Sequence, residues 1–397
     1  MNNQPTAQLK KLFIATTIGL TTLLSACGGG GGGGSSNGGT TTPVVETPTT
    51  DITTEFGDYL TDLVDGHIIP SYSAMQTQAQ ALTDTATAFC ALSSQTSGDL
   101  SNLQQSWSDF NQSWQAIQWL KVGAISDDNR IFRMEFWPDS QEKVPEDVDD
   151  LIEDHQQITV TAELISEESV TVQGISALEY LLFPASTSNS LLNAEDKAKR
   201  CEITAAISEN LLNMSTEILS DWQATGGNYR SEVINGTGEF DSVQEVIEEL
   251  VTTWLEHIEI VEDSKINEIV GTESPGNPES AEHYLSDESL LSIATNIDTI
   301  MTIYTNDDGK GFDEILTDFI ELASVDNDIT ASLTSISAQI TQITQDFDSY
   351  EAALADDNGR IALSDLVNEM RELIDLIDID FTQALEISLN FTSSDGD

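Results

Sequence analysis

One carboxylate stands out for its surroundings: Glu179, set among Ala177, Leu178, Tyr180, Leu181, Leu182 and Phe183. A carboxylate in such company costs several kcal/mol unless it is hydrogen-bonded or paired. The chain has only 14 Lys and Arg against 69 Asp and Glu, and Arg130 and Arg133 are the expected partners. A structural contact from an arginine or a tryptophan and a ligand-binding role stand side by side for Glu179. Four histidines occur, His67, His155, His257 and His283, each alone in the sequence. A lone histidine more often marks a surface or satisfied structural position than a ligand. His67 precedes Ile68-Ile69-Pro70 and is expected at a helix start.

The sequence contains no HExxH, no GxSxG, no phosphate-binding loop and no dinucleotide glycine fingerprint. Asp356-Asp357-Asn358-Gly359 resembles a calcium loop until the register is tested. With Gly359 at the turn position, Leu354 falls where the first Asp belongs. Asn306-Asp307-Asp308-Gly309 fails in the same way, with Tyr304 in that place. Both read as polar turns between helices.

The amino-terminal segment reads as an address. Lys10 and Lys11 precede an apolar run from Leu12 to Leu24, too short for a membrane span of roughly 20 residues. The run ends in Leu24-Ser25-Ala26-Cys27, which resembles the lipobox of bacterial lipoproteins, with residues 1–26 removed and lipid placed on Cys27. Gly28 follows the cysteine and resembles the outer-membrane sorting pattern; the expected place is the cell envelope, on the outer membrane and facing the periplasm. Residues 27–50, with seven glycines from Gly28 to Gly34 and then a Thr/Pro stretch, read as a flexible tether. Removing residues 1–26 takes two lysines and no acids, so the formal charge moves from -55 to -57. Such acidity excludes nucleic-acid binding through phosphates. Its even spread favours solvation in a saline or cold habitat over concentration of cations. In an oxidising envelope the remaining pair, Cys90 and Cys201, suggests one disulfide, with two buried thiols as the alternative.

The elements that must position these residues are helices. Ile68, Tyr72, Met75, Ala79, Leu82, Ala86 and Phe89 recur in alternating steps of four and three. Leu100, Leu103, Trp107, Phe110, Trp114 and Ile117 do the same, as do Leu333, Ile336, Ile340, Ile343, Phe347, Tyr350 and Leu354. Each set lines one stripe of a helix. Trp107 and Trp114 lie on a stripe and are expected in the core; Trp119 and Trp137 are less constrained. Further helices are expected over 194–223, 241–270, 287–305, 312–325 and 361–389, with Asn193, Asp241 and Ser364 as caps or first-turn residues. The expected fold is all-α, in two helical bundle-like halves at 51–226 and 238–392, with the glycine-rich stretch near 225–240 as a loop between them. The pattern is poorest over 123–172, a place to look for a site.

Several segments carry a resemblance in order along the chain. Val172-Gln173-Gly174-Ile175-Ser176-Ala177-Leu178-Glu179 is similar to the Gly-x-His-x-x-Glu signature of the imelysin (M75 peptidase) family. His67 to Tyr72, Trp107 to Trp119, Phe136-Trp137-Pro138-Asp139 and Tyr284 to Leu290 resemble other segments of that family. The resemblance implies two helical bundle-like halves with a site between them, a link to iron uptake with envelope partners, and, in some members, a metallopeptidase label. It implies iron or another divalent cation as the ligand, with Gly174, Ser176 and Glu179 as the motif and Glu179 as the best metal candidate. His67, Arg133, Trp137 and Asp139 are its expected neighbours. Residues three apart on a helix share a face, so an imidazole and a carboxylate there could hold one cation. Here Ser176 stands in the histidine position, and a hydroxyl is a poor transition-metal ligand. The expectation is therefore binding rather than catalysis, with the metallopeptidase and a protein-interaction module as alternatives.

Overall fold

The computed structural model describes residues 51–306 and 309–389; the expected signal, Cys27 and the tether lie outside them. Among the described residues every regular element is helical. The chain opens with α1 (Ile52–Leu63), runs through a π-helical turn (Val64–Ile68) and continues as α2 (Ile69–Ala91). Long α3 (Ser97–Gln115) follows, then four short helices: α4 (Arg130–Met134), α5 (Lys143–Asp154), α6 (Ala162–Glu167) and α7 (Ile175–Leu182). The remainder comprises α8 (Lys197–Trp222), α9 (Tyr229–Asn235), α10 (Val243–Glu259) and α11 (Glu268–Val270). After these come α12 (Ser289–Thr305), α13 (Phe312–Glu314), α14 (Ala323–Asp346), α15 (Tyr350–Ala355), α16 (Asp357–Asp375) and α17 (Thr382–Leu385). No described helix is long and apolar enough to cross a membrane.

The apolar stripes explain the packing. Tyr72, Met75, Ala79, Leu82, Ala86 and Phe89 are buried on α2, which packs against both α3 and α8. Farther on, α14 packs against α12 and α16. Contacts of α3 with α12 and of α1 with α10 join the two groups, and the described residues share one compact unit. Cys90 and Cys201 form a disulfide between the end of α2 and the start of α8.

Local chemistry sets the helix starts, and several differ from the sequence expectation. At α3, Thr96 and Asp99 form a reciprocal capping box, each side chain accepting from the other residue's backbone N–H. The start of α10 is capped by Ser242, whose Oγ accepts from Glu245 N, rather than by Asp241. Asn193 caps nothing in α8, which begins at Lys197. Asp356 caps α16 by accepting from the N–H groups of Asn358 and Gly359. Ser364 therefore lies inside that helix, donating to Arg360 O. The third stripe breaks at Phe347, whose backbone is extended, and Ser349 caps a separate α15 carrying Tyr350 and Leu354. The helix expected over 312–325 is interrupted as well. A π-helical turn ends at Phe319, Glu321 adopts φ 60, and α14 starts at Ala323. The 225–240 stretch holds a helix of its own, α9. His67 lies inside the π-helical turn between α1 and α2, not at a helix start.

Candidate functional site

Where α3 meets α12, a set of polar side chains is buried in the helical core. Lys265 stands at its centre, turned inward from a π-helical stretch, Ile260–Asn267, that continues α10. Such turns shift the phase of a helix and recur at functional positions. Its ammonium donates to Gln115 Oε1 at 3.0 Å, Asn296 Oδ1 at 2.8 Å and Glu282 Oε2 at 2.8 Å. All three donors of the ammonium are thus used. Asn296 in turn donates through Nδ2 to the backbone oxygen and Oε1 of Gln115.

Beside Lys265 lies a carboxylate–imidazole pair. Glu135 follows α4, and its Oε2 accepts from Trp114 Nε1 at 2.6 Å. Its Oε1 pairs with His283 Nε2 at 2.8 Å. The other imidazole nitrogen, Nδ1, is flanked by Ser292 Oγ at 2.9 Å and Asn111 Nδ2 at 3.2 Å. The ring meets Trp107 edge-on at 5.5 Å. Glu135, Glu282 and His283 are 7%, 4% and 3% exposed, and one ligand atom from each lies within 4.8 Å of the others. His283 also holds φ 55, in the left-handed region that non-glycine residues seldom adopt and that clusters at ligand clamps.

The electrostatics follow from burial and neighbours. Burial works to lower the imidazole of His283, but Glu135 and Glu282 outweigh it and lift the group to about 9. Glu135 is pushed up by burial and pulled down further by His283 and Lys265, so it lies below the usual carboxylate range. Glu282 is raised, because burial and the Glu135 charge exceed the pull of Lys265. Glu179 is also raised by burial, against the opposing pull of His283 and of its bonds from Ser286.

The residues singled out from sequence divide into three groups. Glu179 is buried as expected for its apolar run, but its partner is no arginine: its Oε1 accepts from Ser286 N at 2.9 Å and Ser286 Oγ at 2.7 Å. Arg130 instead reaches Ala124 O and Glu217, and Arg133 donates to Gln173 Oε1 at 2.7 Å. Glu179 is nonetheless close enough to feel the charges of His283 and Glu135, so the motif glutamate belongs to the cluster's surroundings. Ser176 donates to Phe136 O, one residue along from Glu135. Gly174 is demanded by packing: a Cβ there would lie 2.2 Å from Met134 O and 2.5 Å from Arg133 O. Trp137 is half-buried, with its ring 5.9 Å from Lys265 Nζ and its indole N–H donating to Ser280 O. The other two expected neighbours have separate duties. Asp139 accepts from Lys143 N and Val144 N and so caps α5, while His67 makes no bond within the cluster and its Nε2 is buried without a partner.

Glu135, Lys265 and Glu282 carry no signal in the sequence, and His283 stands there only as one of four lone histidines. Glu135 lies within the irregular 123–172 stretch. A signal existed for His283, which directly precedes the Tyr284–Leu290 segment. Nothing in the local pattern marks Lys265, which sits in an outwardly polar sequence, Glu262-Asp263-Ser264-Lys265.

The molecule is thus an all-helical body enclosing a buried carboxylate–imidazole–ammonium cluster. The chain belongs to the imelysin family, peptidase family M75, whose sequence profile matches residues 68–377. It is similar in fold to the crystal structure of an imelysin-like protein from Psychrobacter arcticum 273-4, with a TM-score of 0.69 at 19% identity. That match covers 86% of this chain and 99% of the other. A second structure, from Parabacteroides distasonis ATCC 8503, is assigned as an iron-regulated protein A precursor. It matches with a TM-score of 0.67 at 14% identity, over 85% of this chain and 97% of that one. No curated protein matches the chain significantly.

Proposed function

We propose that this imelysin-family chain is a non-catalytic cation-binding protein of the cell envelope, holding a divalent transition-metal ion between Glu135, Glu282 and His283. One observation carries the reading: Glu135, Glu282 and His283, all buried, each bring one ligand atom to within 4.8 Å of the others. A mixed imidazole and carboxylate set suits iron, manganese or zinc in the divalent state, and because a neutral imidazole nitrogen is the ligating form, binding would displace the proton that Glu135 and Glu282 hold on His283. The iron link comes from the family resemblance and from the relative assigned as iron-regulated. The lipid anchor at Cys27 would tether the binding body to the outer membrane, within reach of envelope partners in iron uptake.

Binding is favoured over peptide hydrolysis because the three donors are 7% exposed or less, whereas a scissile peptide must reach the metal and its water. Anaerobic isothermal titration with Fe²⁺, and with Mn²⁺ and Zn²⁺, tests the reading against His283→Ala and Glu135→Gln. Stoichiometric binding by the natural sequence that both substitutions weaken by about a hundredfold supports it. Equal heats from all three proteins would remove it and leave a purely structural charge network. Cleavage of casein by the zinc-loaded protein, abolished by His283→Ala, would favour the peptidase instead.

A further inference from the structure

The cluster contains a cation of its own, and nothing in the binding reading requires one. Lys265 Nζ lies 2.8 Å from Glu282 Oε2, on the carboxylate that would ligate the ion. It cannot easily swing away, because its other two donors are held by Gln115 and Asn296, and its side chain is buried among Gln115, Glu282 and Asn296. A fixed positive charge beside a metal site removes one unit of negative charge from it and repels the incoming ion. That repulsion scales with the charge on the ion, and burial leaves little solvent to screen it. A trivalent ion is therefore penalised more than a divalent one by the same ammonium. The carboxylates would otherwise draw ions of high charge, since Glu135 Oε1 lies 2.8 Å from His283 Nε2 and Glu282 Oε2 lies 3.7 Å from its Nδ1.

We propose that Lys265 selects the charge of the bound ion, reserving the Glu135–Glu282–His283 site for divalent rather than trivalent cations. This rests on the cation-binding reading above. It assigns Lys265 a positioning role: the lysine touches no ion, but orients Glu282 and sets the charge that the site presents.

Two substitutions change that charge by different routes. Lys265→Met removes the ammonium while keeping the aliphatic stem. Gln115→Glu keeps the ammonium and adds a carboxylate 3.0 Å from it. Gln115 Oε1 already accepts from Lys265, Asn296 and Gln118, while its Nε2 lies 3.5 Å from Glu135 Oε2, so the second change adds its negative charge directly beside that carboxylate. Isothermal titration of the purified protein with Mn²⁺ and, separately, Tb³⁺ gives the ratio of trivalent to divalent affinity. Circular dichroism and a thermal melt establish that each variant is folded. The expected result is a rise in that ratio of about tenfold or more in each folded variant. If Lys265→Met does not fold, Gln115→Glu alone decides. A ratio that stays within about twofold of the natural protein's in a folded variant overturns the proposal, given that one unit of buried charge has changed. If the natural protein binds neither ion, the cation-binding reading itself has failed and takes this inference with it.

Discussion

At the scale of single residues, burial without a partner has consequences that can be measured. The imidazole of His67, whose Nε2 has no hydrogen bond, is driven by burial down to about 4. An unfolded histidine titrates near 6.5. Between these values the unfolded chain binds more protons, so stability rises with pH through this window. The contribution is fully present above the unfolded value and is lost as pH falls toward the folded one, up to roughly 3 kcal/mol. His67→Gln should flatten the pH dependence of urea denaturation over that range; an unchanged slope would show that His67 is solvated. Glu179→Gln has a different signature. Its Oε1 accepts two bonds from Ser286, which an amide oxygen can keep, so the fold should survive with a change within about 1 kcal/mol. Cation affinity should nevertheless drop, because a charge felt by His283 is gone, and titration calorimetry reads both effects. Glu179 was legible in the sequence as a buried carboxylate because its neighbours are apolar. Its partner was not legible, since Ser286 lies 107 residues away and local patterning carries no information across that distance. Lys265 was hidden for a related reason: a lysine among acids reads as solvated unless the phase of the π-helical stretch is known.

At the scale of elements, the approach of α4 to the start of α7 is what holds Glu135 near the motif segment. Gly174 permits it, because the backbone oxygens of Arg133 and Met134 occupy the space of a Cβ. Gly174→Ala should destabilise the protein by about 1–3 kcal/mol, as overpacking does, and should weaken cation binding by displacing Glu135. A thermal melt beside a titration would check it; a variant as stable as the parent would mean that α4 shifts freely. The stripes of α2 and α3 were readable because each is one uninterrupted period buried on one face. The stripe from Leu333 to Leu354 misled because its apolar period continues through Phe347 while the backbone does not. There Ser349 offers a cap that a count of apolar residues ignores. The motif segment, through Gly174 and Glu179, lies beside the buried cluster, whose imidazole comes from His283 in a distant segment.

At the scale of the whole molecule, two global features set stability. The Cys90–Cys201 bond closes a span of 111 residues and clasps α2 to α8. Loop-closure entropy gives such a cross-link up to about 4–5 kcal/mol, so Cys90→Ser with Cys201→Ser should lower the melting temperature clearly. Dithiothreitol should have no further effect on that double variant. The acidic excess of -55 works in the opposite sense, through self-repulsion of the folded body. Added sodium chloride should therefore raise the melting temperature by screening, most steeply below about 0.1 M, where the screening length exceeds about 10 Å. A melting temperature indifferent to salt would show that the charges are spaced beyond mutual influence.

The position of Trp137 gives the protein an optical property of its own. Of the six tryptophans, Trp107, Trp114, Trp119, Trp222 and Trp254 are buried, and Trp137 alone reaches solvent. Its indole also lies 5.9 Å from the ammonium at the heart of the cluster. An acrylamide-quenchable fraction of the emission thus reports on one side chain at one place. Occupancy of the site can be followed in the unlabelled protein, by the light that a collisional quencher removes.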